Sequence, residues 1–106
     1  MIKNGMRPIH PGEILQEEFL HPSDPWLDAN TLAKALAVPA NRITAILNGQ
    51  RGITGDTALR LGTFFNTSPG FWMNLQKTYE LRLAEKALAG KVKKHIQKSR
   101  DSLISE

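Results

Sequence analysis

The sequence predicts an all-α protein of five helices. Three observations carry that expectation. Apolar residues recur at helical spacing almost throughout, no run alternates as a half-buried strand requires, and each candidate helix opens on a start signal.

His10-Pro11-Gly12-Glu13 opens the first helix, with proline at the first helical position and an acid in the first turn. Ile14, Leu15, Phe19 and Leu20 follow at helical spacing, and the segment stops near Pro22. His21 to Asp28, with two prolines, reads as a loop. Asp28 is placed to cap a second helix running to about Ala37, with Leu32, Ala33 and Leu36 inward. Pro39 opens a third, with Ile43, Ile46 and Leu47 on one face and its end at Asn48-Gly49. After a loop from Gly49 to Ile53, Thr54 caps a fourth helix bearing Ala58, Leu59, Leu61, Phe64 and Phe65. Ser68-Pro69 starts a long fifth helix ending at Gly90, whose stripe of Phe71, Leu75, Tyr79 and Leu83 suits a core, with Trp72 also inside. Residues 1–90 then form one domain. Residues 91–106 are a basic, polar tail, either frayed helix or disordered.

A chain of 106 residues that is 41% hydrophobic can bury one core. It has no cysteine, so disulfides, thiolate metal sites and thiol nucleophiles are excluded together, and a reducing compartment is expected. No apolar run approaches the roughly 18 residues of a membrane span, and Met1 to Pro8 lack the apolar stretch of a secretory signal. The expectation is a soluble, cytoplasmic protein. Catalysis has little to work with. His10, His21 and His95 are scattered without metal-ligand spacing, and His10 reads as a residue at the start of a helix. No serine lies in a nucleophile context, and Glu17 and Glu18 point about 100° apart on a helix. Gly49, Gly52 and Gly55 match no phosphate-binding loop. No enzyme, metal or cofactor is expected.

The net charge of +4 is unevenly spread. Across residues 31–66, Lys34, Arg42, Arg51 and Arg60 stand against Asp56 alone, and the tail sets five basic residues against Asp101 and Glu106. Clustered cations suit a polyanion, although a solvated basic surface gives the same count. Within 29–49, small or apolar residues at Ala33, Ala37, Ile43 and Ile46 have the spacing of a helix-turn-helix, with Leu32, Leu36 and Val38 completing the inward set. Any pair of core helices could share that spacing. The outward face adds to it: Ala40, Asn41, Arg42, Thr44, Ala45 and Asn48 are residue types that read base edges. No carboxylate lies between residues 31 and 55, and Lys34 and Arg51 are placed as phosphate clamps.

The runs IHPGEILQEEFL (Ile9 to Leu20), AKALAVPANRI (Ala33 to Ile43), NGQRGIT (Asn48 to Thr54), TALRL (Thr57 to Leu61) and SPGFWMNL (Ser68 to Leu75) resemble the HigA-type antitoxins, members of the XRE or phage-repressor-like helix-turn-helix family. The resemblance covers roughly residues 7–90. It implies a five-helix phage-repressor-like DNA-binding domain, a homodimer, repression of its own operon at a palindromic operator, and neutralisation of a HigB-type toxin, a ribosome-dependent mRNA endonuclease. It also places the reading contacts on Asn41, Arg42, Thr44 and Ala45, the helix-end contact on Asn48 and the loop contact on Arg51. The sequence departs from the pattern twice. Ala37 stands where a left-handed glycine is usual, and Ala29 stands where a polar phosphate anchor is common, leaving Asn30 or Lys34 to replace it.

Specific readout needs two copies on half-sites roughly 34 Å apart. Leu81, Ala84 and Leu88 share a second side of the fifth helix and are the expected dimer contact. Glu13, Glu17 and Glu18 are the candidate docking acids for a basic toxin. The competing readings are a stand-alone XRE regulator without a toxin and a protein-interaction module that never touches DNA.

Overall fold

In the computed structural model, which describes residues 7–20, 27–88 and 90–104, the His10 backbone is extended and its ring caps the first helix. The Nδ1 atom accepts from the Gly12 N–H at 2.8 Å, while Glu13 Oε2 accepts from the His10 N–H at 3.2 Å. This reciprocal cap satisfies two donors that a helix start leaves open. Helix α1 (Pro11–Ile14) widens into a π-helical turn, Leu15–Phe19, closed by the Leu20 N–H on the Leu15 carbonyl. That turn sets Phe19 against Phe65 and Trp72, with ring centroids 4.7 and 4.9 Å apart. The predicted stop near Pro22 and most of the following loop lie outside the described residues.

The next three helices start where their caps predict. Asp28 accepts from the Thr31 N–H ahead of α2 (Ala29–Leu36), Pro39 precedes α3 (Ala40–Leu47), and Thr54 caps α4 (Gly55–Phe65). Ser68 accepts from the Phe71 N–H to open α5 (Pro69–Ala87). Leu15, Leu32, Leu36, Ile43, Ile46, Leu61 and Trp72 form the centre of the core. Each such side chain contributes about 1.5–3 kcal/mol by leaving water. Helix α1 crosses α3 at close range. A Cβ on Gly12 would collide with the Ile46 carbonyl, so the two backbones touch there.

Two expectations change. The buried side of α5 is Trp72 and Gln76, flanked by half-buried Leu75 and Tyr79, whereas Phe71 and Leu83 are exposed. The stripe is rotated because the loop after α3 carries an N–H, that of Ile53, which needs an acceptor inside. Gln76 Oε1 provides it at 2.7 Å. The tail is a sixth helix, α6 (Gly90–Ile104), and Gly90 begins it rather than terminating α5. A glycine in a helical pattern costs only about 1 kcal/mol, and the Lys-, Gln- and Arg-rich run behind it favours helix. All described α6 side chains are exposed, and the molecule measures 63 × 24 × 22 Å.

The turn between α2 and α3 is a Schellman closure, with the Val38 N–H on the Ala33 carbonyl at 3.0 Å and the Ala37 N–H on that of Lys34 at 3.1 Å. It requires a left-handed residue, and Ala37 adopts φ 60°, ψ 44°. The same closure ends α3, where Gly49 takes the left-handed position at φ 76°. Ala37→Gly should therefore raise stability by about 1 kcal/mol. Urea unfolding followed by circular dichroism checks it, and an unchanged or lower midpoint would mean that the alanine is not strained there.

Candidate nucleic-acid interface

The sequence assembles one exposed, mostly polar face around α3. Ala40, Asn41, Thr44 and Asn48 are exposed along it and Ala45 is half-buried. Thr44 Oγ1 donates back to the Ala40 carbonyl at 3.3 Å, which leaves its methyl group and lone pairs as the outward features. Asn30 and Lys34 are exposed on α2, and Arg51 is exposed in the loop after α3. The structure thus gathers the helix-turn-helix residues singled out from sequence around α2, the Ala37 turn and α3. Leu81, Ala84 and Leu88 lie apart from them, exposed on the far half of α5.

Arg42 is the exception to a simple outward face. Its side chain keeps 24% of its exposure and turns across to α4, where Nη1 donates to Asp56 Oδ2 at 2.7 Å. The same oxygen accepts from Arg60 Nε at 3.0 Å, and Arg60 Nη1 reaches the Leu36 carbonyl at 2.7 Å. Arg60 first, then Arg42, hold the Asp56 carboxyl below its usual range. The buried Arg42 Nε–H has no hydrogen-bond partner among the described residues. Sequence reasoning counted Asp56 only as a charge. Its bond to Arg42 spans 14 positions and two helices, which no local pattern encodes.

The loop carrying Arg51 is pinned from two sides. Gln76 holds Ile53, and the Gln76 amide itself donates to Glu80 Oε2 at 2.7 Å. His10 packs edge-on against Tyr79, ring centroids 4.9 Å apart, with the Arg51 backbone close enough to act on its ring. Burial is the main cause that lowers the His10 pKa, against smaller opposing effects of the Arg51 backbone and Glu13. The folded state therefore favours the neutral ring, and protonation would also destroy the Nδ1 acceptor that caps α1. Stability contributed by His10 is fully present above the ordinary histidine pKa and is lost as pH falls through the lower folded value. The melting temperature should drop between pH 7 and pH 5, and His10→Gln should flatten that part of the profile. An equally steep profile in the variant would assign the loss to another group. Arg7 and the His10 backbone lower the Glu13 pKa, so its loss falls in the more acidic carboxylate window.

Glu13 is no free docking acid. Arg7 grips it with two bonds of 2.9 Å, and it serves in the cap, whereas Glu17 and Glu18 are exposed. Among the described residues no group of three His, Cys, Asp or Glu could hold a metal ion, and no helix is long and apolar enough to cross a membrane.

The two short helices, the tight left-handed turn and the exposed second helix define a helix-turn-helix protein. No family model matches the sequence, but individual relatives do. Virulence-associated protein I of Dichelobacter nodosus is 53% identical over 83 residues, covering 78% of this chain and 75% of that protein. An addiction module antidote protein of the HigA family from Coxiella burnetii is 60% identical, with a TM-score of 0.78 over 84% of this chain and 95% of its own. The Pseudomonas aeruginosa antitoxin HigA, solved with the higBA promoter, is 49% identical, with a TM-score of 0.75 over 81% of this chain and 91% of its own. The chain belongs to the HigA family of helix-turn-helix antitoxins.

Proposed function

We propose that the chain is a dimeric, sequence-specific repressor that lays α3 in the major groove of a palindromic operator, represses its own operon and neutralises a HigB-type toxin. One observation carries the reading: the exposed flank of α3 holds asparagine, threonine and alanine with no carboxylate of its own, bordered by Arg42 and by exposed Lys34 and Arg51, neither of which forms an ion pair among the described residues. The promoter-bound relative supports it. In this reading Ala40, Asn41, Arg42, Thr44 and Ala45 meet base edges. Asn30, Lys34, Asn48 and Arg51 meet phosphates, and Leu81, Ala84 and Leu88 join the two copies. Glu17 and Glu18 offer a basic toxin its complement. The chain acts by binding, not by catalysis, in the cytoplasm.

Fluorescence anisotropy with a duplex from the chain's own promoter, across a salt series, tests this. Arg42→Ala should cost about 1–3 kcal/mol of operator binding and relax selectivity at one base pair per half-site. Arg51→Ala should weaken every duplex alike and reduce the log–log salt slope by about 1. If neither substitution changes binding, α3 and its loop are not the contact surface.

A further inference from the structure

We propose that Asp56 is a specificity-determining positioning residue: its carboxylate aims the Arg42 guanidinium for base readout. The inference rests on the reading that α3 faces a duplex. A carboxylate 55% exposed beside such a surface should, as a bare charge, repel phosphates and weaken binding to every sequence. The geometry gives it a different task. Asp56 Oδ2 takes Arg42 from α3 at 2.7 Å and Arg60 from α4 at 3.0 Å, and Arg60 closes the end of α2 through the Leu36 carbonyl at 2.7 Å. One oxygen atom thus ties together the three helices around the reading face.

The consequence falls on Arg42. One Nη1 hydrogen is engaged and the Nε–H is buried, so a base would have to be met by the remaining Nη hydrogens. A long side chain held this way loses little further freedom on binding, so it discriminates better than a loose cation. Released from Asp56, the same guanidinium would reach whichever phosphate is nearest. The cluster still favours a polyanion, since two arginines flank one carboxylate and leave it net positive.

Charge and positioning predict opposite signs for Asp56→Asn, which removes the charge and keeps the shape. Affinity would be measured for a labelled duplex of the chain's own promoter and for a random duplex of equal length, with melting curves for each variant. If Asp56 positions Arg42, the random duplex binds up to about twofold tighter, the promoter duplex binds more weakly, and their ratio falls about tenfold. In an Arg42→Ala background, Asp56→Asn should leave the ratio unchanged, because the group it positions is gone. Equal tightening of both duplexes would make Asp56 a plain repulsive charge and overturn the proposal. So would an equal loss on both with a lowered melting temperature, the mark of a merely structural role. A wild-type protein without promoter preference would instead remove the operator reading, and this inference with it.

Discussion

Gly12→Ala should cost more than about 3 kcal/mol, enough to unfold much of the population. The added methyl would be driven into the Ile46 carbonyl of α3, with the His10 ring 3.1 Å away on its other side. Backbone atoms cannot rotate aside as a side chain does. The Ile46 carbonyl also accepts the Gly49 N–H at 3.1 Å that closes α3, so retreat would disturb the end of the reading helix. Overpacking a core by one methylene already costs about 1–3 kcal/mol when side chains can yield. Here the obstacle is main chain. Urea titration by circular dichroism gives the loss, and Gly55→Ala, where a Cβ meets nothing within 4 Å, is the matched control that should be neutral or slightly stabilising. A Gly12→Ala protein as stable as wild type would mean that α1 does not cross α3 so closely.

The second large effect should come from Leu81→Glu combined with Leu88→Glu. Both leucines are exposed in the single chain, at 59% and 37%, so the protomer should fold without them. In the dimer reading they are covered by the second copy, and burying four carboxylates there would abolish pairing. Light scattering should report half the wild-type mass. Operator affinity should fall at least about a hundredfold, because the second half-site is no longer tethered to the first. An unchanged dimer would move the interface elsewhere.

Local signals were legible in the sequence, and contacts between distant segments were not. Asp28, Thr54 and Ser68 announce their helices because a cap acts within three residues, and Pro39 does so through its fixed φ rather than a cap. The left-handed turn at Ala37 is legible only through the family resemblance, in which a glycine is usual at that position. Gly12, by contrast, looked like an ordinary first-turn residue, since nothing near it in sequence tells of Ile46. Polarity alone argues Gln76 onto the surface, and only the folded loop shows that the Ile53 N–H needs it. The exposure of Ala40, Asn41, Thr44 and Asn48 follows from the apolar face opposite them, but the sideways turn of Arg42 depends on a carboxylate from the next helix. Helicity of the tail was open for a different reason: propensity favours it, while no packing partner among the described elements secures it.

The long α5–α6 arm changes how the protein will travel through a gel matrix. A compact chain of this length has a radius of gyration of about 13 Å, whereas this one has 18.1 Å. A lone protomer will therefore elute early, near the volume of a rounder protein of greater mass. Column position alone would mistake elongation for association, and removing residues 91–106 should shift the peak far more than the lost mass accounts for.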